Sequence, residues 1–188
     1  KVVEEIHIMR EKIAETFIEL WETCPYDKIS VTMICRHVPV SRAAFYKYFT
    51  GKESLLFYYT GRDFERNCLP IFRFHLKEQG TASFFTYVKK NETFYRKLYA
   101  VDDGRLLFQC LKEAYKIGFD RRDEFSLQVS KRAGSFNTDI FFEYSCSGIA
   151  GVVVRWIREG MVISDRQMGR DLYLMISEPL STVRDYYT

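Results

Sequence analysis

Apolar residues recur along the chain at three- and four-residue steps. Ile6, Met9, Ile13, Phe17, Leu20 and Trp21 fall on one helical face, so the spacing predicts an amphipathic helix over 4–24. Pro25 ends it, because the residue before a proline disfavours the α region. Ser30 reads as the N-cap of a short helix over 31–38. Pro39 and Val40 break that helix, and Ser41 caps the next, over 42–49. Thr50-Gly51 reads as a turn, and a longer helix follows from Lys52 to about Cys68, before Pro70.

The remainder is helical by the same pattern. Segments 81–90, 92–100 and 105–118 are separated by Asn91 and by the Asp102-Asp103-Gly104 turn. A polar stretch over 120–135 reads as loop. Residues 136–159 form a long, mostly apolar helix stopped by Gly160. Ser164-Asp165 opens a last helix that should break or kink near Pro179. No repeat, low-complexity tract or Gly/Ser linker interrupts the chain. The expected fold is all-α. Residues 1–51 form a three-helix domain with a helix-turn-helix, packed on a larger helical domain over 52–188.

Composition narrows the classes. With 47% hydrophobic and 28% charged residues among 188, the chain can bury a core and does not read as disordered. The longest charge-free run, from Tyr144 to Val154, is too short for a membrane span. Residues 1–10 are charged and amphipathic, which is not the pattern of a secretory leader. Cys24, Cys35, Cys68, Cys110 and Cys146 are odd in number and widely spaced, which suits free thiols in a reducing cytoplasm. His7, His37 and His75 have no metal-ligand spacing. Nucleophile-elbow, P-loop, HExxH and dinucleotide motifs are absent, so neither an enzyme nor a cofactor or metal is expected.

The net charge of +3 is uninformative until it is divided along the chain. Residues 1–27 carry three basic and seven acidic side chains, and residues 53–188 carry twenty and eighteen. Between them, Lys28, Arg36, Arg42, Lys47 and Lys52 stand with no acid at all. This basic block is the helix pair, and a tight pair of short helices with a capped, basic second helix suits DNA reading. Ile34, Val38, Val40, Phe45 and Phe49 would close its small core. Arg42 can reach a guanine edge, while Ala43 and Ala44 allow close approach and contact with a thymine methyl. Tyr46, Lys47, Tyr48 and Lys52 are placed for phosphate oxygens, as are Ser30 and Thr32 at the start of the first short helix.

Residues 29–56, ISVTMICRHVPVSRAAFYKYFTGKESLL, resemble the N-terminal domain of TetR-type bacterial transcriptional regulators. Val40-Ser41-Arg42, the Phe45-Tyr46-x-Tyr48-Phe49 pattern and Lys52-Glu53 before a Leu pair carry the resemblance. It implies a homodimer on a palindromic double-stranded operator, with repression the commoner outcome. It also implies a divergent C-terminal domain that binds a small-molecule inducer or a protein co-regulator. By that resemblance Ser41, Arg42, Ala43 and Ala44 face the bases, and Tyr46, Tyr48 and Lys52 face the backbone. Two positions depart from the family pattern. Pro39 stands in the turn where glycine is usual, so the turn must differ. Tyr48 stands where histidine is frequent.

Residues 84–98 and 147–160 look like the C-terminal domain of a subset that includes regulators of dihydroxyacetone kinase operons. Tyr59, Phe84, Tyr87, Tyr95, Tyr99, Phe108 and Tyr115 are the candidates for an effector pocket. Ser147, Gly148, Gly151 and Val154, with Leu172, Met175 and Ile176, are the candidates for a four-helix dimer interface. The same small residues would also serve internal packing. A helical ligand- or partner-binding module that has lost DNA binding is the alternative function, and Pro39 is the feature that keeps it open.

Overall fold

The computed structural model describes residues 2–70, 77–120 and 137–177. Among the described residues every regular element is helical. These are α1 (Val2–Thr23), a 3-10 turn (Tyr26–Lys28), α2 (Val31–His37), α3 (Arg42–Tyr48) and α4 (Lys52–Asn67). They are followed by α5 (Lys77–Lys90), α6 (Glu92–Ala100), α7 (Arg105–Asp120), α8 (Thr138–Arg158) and α9 (Asp165–Ser177). The all-α class is as expected. The chain divides into two compact units, Lys1–Arg62 and Asp63–Thr188, and α4 carries residues of both.

In the first unit the apolar stripe of α1 closes over the helix pair. Ile13, Phe17 and Trp21 are buried, together with Ile29, Ile34, Val38, Phe45, Phe49, Leu55 and Leu56. Phe17 stacks on Trp21 at 6.0 Å, and Tyr26 meets both rings edge-on at 6.2 and 5.7 Å. Offset and edge-to-face contacts of this kind add to the burial of the rings themselves.

The second unit is held by two close helix pairs. Helix α9 lies on α5 so tightly that a Cβ added at Gly169 would stand 2.4 Å from the Cα of Ala82. Thr86 Oγ1 of α5 donates to Asp165 Oδ2 of α9 at 2.5 Å. Helix α8 lies on α7, joined by Lys112 Nζ to Glu143 Oε1 at 2.5 Å and by the Tyr115 and Phe142 rings at 5.9 Å. By length and composition α8 could cross a membrane over Asp139–Arg158. Cys146, Ala150, Val153, Trp156 and Ile157 on one side of it are buried in the unit, while Ile140 and Tyr144 are exposed.

Helix ends follow local chemistry. Asn137 Oδ1 accepts from the amides of Asp139 and Ile140, which sets the start of α8 just after the expected position. Gly160, at φ +83°, ends α8, with its amide bonded to Ile157 O and the Met161 amide to Trp156 O. Helix α5 begins before the expected Thr81 because it runs through the buried Gly80. A helical glycine costs about 1 kcal/mol relative to alanine, too little to break a helix that buries Thr81, Phe84 and Phe85. The loop expected over 120–135 and the break expected near Pro179 lie outside the described residues. The five cysteines are free thiols. Burial pushes the Cys68 thiol up to about 12.

Candidate nucleic-acid interface

The helix pair is built by two serines. Ser30 Oγ accepts from the Met33 amide at 3.2 Å and starts α2. Ser41 Oγ accepts from the Ala44 amide at 3.1 Å and starts α3. Between them Val38 is extended, at φ −124° and ψ 142°, and the Val40 amide reaches back to Val38 O at 2.7 Å. That closes a three-residue turn with Pro39 at its centre, a conformation compatible with proline's fixed φ. Among the described residues, positive φ occurs at Asp103, Gly104, Gly160 and Met161 and not in this turn. The turn therefore uses no positive φ, and proline fits it.

The buried side of α3 is Phe45, which meets Tyr46 edge-on at 5.4 Å and Phe49 at 6.0 Å. The opposite side is open. Ser41, Arg42, Ala43, Tyr46 and Lys47 are exposed, and Ala44 and Tyr48 are half-buried. In α2 and its cap, Ser30 is exposed and Thr32 half-buried. Arg42 is close enough to Cys35 of α2 to oppose the upward shift that burial gives that thiol.

Lys52 makes a contact that the sequence pattern did not reveal. Its Nζ donates to Tyr26 O at 2.6 Å and stands 4.2 Å from the centroid of the Tyr26 ring. Burial lowers its proton affinity, opposed by the charge of Asp27 and then by Cys24. Lys52 thus fastens the start of α4 to the 3-10 turn. Tyr26 lies 26 residues away, so no local spacing announces the contact.

The aromatic candidates divide. Tyr59 is half-buried in the first unit, and the other six lie in the second. Tyr87 and Tyr95 lie near Asp63, which the sequence reading missed. The Tyr87 hydroxyl donates to the Asp63 carboxylate at 2.6 Å, and Asn67 Nδ2 donates to Asp63 Oδ1 at 3.0 Å. Phe84 is buried and meets Phe64 edge-on at 6.2 Å. Burial raises the Asp63 carboxyl above the usual carboxylate range, opposed by the hydrogen bonds from Tyr87 and Asn67. Tyr95 is buried, and its phenol is pushed up by burial first and then by the charge of Asp63. The one advance signal was Asp63 and Asn67 at i and i+4 on one helical face. Tyr99 instead donates to Asp103 at 2.7 Å, Phe108 lies under the Lys112 ammonium at 5.7 Å, and Tyr115 packs on Phe142.

The small-residue candidates divide as well. Gly148 and Gly151 have nothing within 4 Å of an added Cβ, and on the same helix Ile140 and Tyr144 are 69% and 73% exposed. Ser147 donates to Glu143 at 3.0 Å. Met175 and Ile176 are exposed, whereas Leu172 is buried inside the unit. Val154 is half-buried, with a methyl 3.0 Å from where a Cβ on Gly104 would stand.

The family model described as "Bacterial regulatory proteins, tetR family" matches residues 13–59. A second, described as "Transcriptional regulator C-terminal region", matches residues 77–178. The chain is similar to the HTH-type dhaKLM operon transcriptional activator DhaS of Lactococcus lactis subsp. lactis (strain IL1403). That identity is 27% over 132 residues, covering 69% of this chain and 71% of the relative. Among solved structures it is similar to the dihydroxyacetone kinase operon activator DhaS, at TM-score 0.48 and 21% identity, covering 90% of this chain and 92% of that one. With its helix pair inside one matched segment and more than half its length inside the other, the chain belongs to the TetR family of bacterial transcriptional regulators.

Proposed function

We propose that this regulator acts in the cytoplasm as a homodimer on a palindromic operator, one α3 helix entering the major groove at each half-site. The observation that carries this reading is the open side of α3, where Arg42, Ala43 and Tyr46 face away from the core that Phe45 closes. Arg42 reads a guanine edge, and Ala43 and Ala44 bring the helix close to the bases beside Ser41. Tyr46, Lys47 and Tyr48 contact phosphates, joined by Lys52 and by Ser30 and Thr32 at the start of α2. The dimer face is the exposed side of α8 around Gly148 and Gly151, with Met175 and Ile176 of α9. The effector, a small molecule or a protein, acts on the second unit. The polar cluster of Asp63, Tyr87 and Tyr95 is its best-supported contact for a small molecule.

The effector works by population shift, weakening or strengthening operator binding by its differential affinity for the two states. Repression is the family expectation. The Lactococcus relative is named an activator, and that observation supports activation as the second reading. The test is selection of a binding duplex from a randomised pool, followed by anisotropy titrations at several salt concentrations. Tight binding that weakens steeply with salt, and is lost in Arg42→Ala and Tyr46→Ala, supports the reading. No binding at low salt supports the module without DNA binding. A reporter placed behind the selected site then gives the sign of regulation.

A further inference from the structure

Arg10 stands outside the surface assigned to DNA, yet it is placed at the foot of the reading helix. It lies on α1, and its guanidinium carbon is 4.4 Å from the centroid of the Tyr58 ring and 5.2 Å from that of Phe49. These two rings meet edge-on at 5.6 Å, so one cation covers a corner made by two aromatic faces. The Nε of Arg10 is buried with no hydrogen-bond partner. Among the described residues the guanidinium has no carboxylate partner either, and the neighbouring Glu11 is bound by Arg62 at 3.2 Å. A half-buried cation without a counter-charge costs free energy unless another group holds it, and the negative faces of the two rings do so.

The three elements joined at this corner are those that set the pose of α3. Phe49 is the C-cap of α3, with its amide on Phe45 O at 3.0 Å and its ring against Phe45. Phe45 is the buried anchor of the reading helix. Tyr58 belongs to α4, and its hydroxyl is 3.3 Å from His7 Nδ1, whose other nitrogen is 3.0 Å from Arg62 of α4. A methionine of similar length would fill the same corner without an unpaired charge. What the guanidinium adds is orientation, because its attraction to a ring depends on lying over the face.

We infer that Arg10 is a positioning residue for operator reading, fixing the C-terminal end of α3 against α4 by lying across Phe49 and Tyr58 without touching DNA. The test uses the full chain as Arg10→Met and Arg10→Lys, with a duplex selected by the parent protein and a scrambled duplex of equal length. Circular dichroism at the assay temperature reports the fold. Arg10→Met should stay helical and lose about tenfold in affinity for the selected duplex, the size of a partly desolvated cation–π contact. Its affinity for the scrambled duplex and its salt slope should not change, and Arg10→Lys should recover part of the loss. A salt slope shallower by about one, with both affinities falling together, would make Arg10 a phosphate contact and overturn the proposal. So would unchanged affinity for the selected duplex. Unfolding of both variants would reduce Arg10 to a folding residue and overturn it equally.

Discussion

Gly169→Ala inverts the usual helix-propensity rule, because the space beside Gly169 is already taken by backbone. An added Cβ would stand 2.4 Å from Ala82 Cα, 2.7 Å from Ala82 N and 3.0 Å from the carbonyl carbon of Thr81. None of these is the end of a flexible side chain, so relief requires α9 to move away from α5. Ordinary van der Waals contact lies about 1 Å further out, and a gap of about that size forfeits a quarter to a half of each contact's attraction. Overpacking of this kind costs about 1–3 kcal/mol, against about 1 kcal/mol that alanine gains over glycine inside a helix. The shift would also stretch the bond from Thr86 to Asp165, now 2.5 Å. A net loss of about 1 kcal/mol is expected, or about 2–4 °C in melting temperature for a chain of this size. Thermal and urea unfolding followed by circular dichroism measure it. Gly51→Ala, at a position with nothing within 4 Å, is the control and should change stability by less than about 0.5 kcal/mol. A Gly169→Ala protein as stable as the parent would refute the close approach of α5 and α9.

Two further outcomes follow from the second unit. Because burial raises the Asp63 carboxyl, the folded chain holds that proton more tightly than the unfolded chain. The resulting stabilisation is complete below the ordinary carboxylate range and is lost as pH rises through the raised value. Asp63→Asn should therefore gain stability relative to the parent as pH rises through that window, read from urea midpoints, and the opposite slope would count against it. Gly151→Trp fills an open position on the proposed dimer face. Sedimentation velocity should show monomers, and a dimer that survives would remove this face from the interface.

What could be read in advance was whatever depends on residues a few positions apart. The helices over 31–37 and 42–48 were legible because each begins at a serine whose hydroxyl caps an amide three residues on. The candidate interface was legible for a similar reason. Its basic residues lie in one uninterrupted acid-free block, and the α3 residues around Phe45 follow from helical spacing. Helix α5 starts before the expected Thr81, running through Gly80, which is buried where packing overrides the low helix propensity of glycine.

The chain's own order therefore determined the all-helical class, the capped helix pair and the segregation of charge onto it. Tertiary structure decided which long-range partners those residues meet. Lys52 reaches Tyr26, Arg10 lies across Phe49 and Tyr58, Tyr87 bonds Asp63, and Gly169 receives Ala82. It also separated Leu172, turned into the unit, from Met175 and Ile176, which remain outside. Periodicity defines a helix face, but not the neighbour that covers it. That choice is made by packing between elements distant in sequence, where one side chain's volume or one missing Cβ sets how closely two helices can approach.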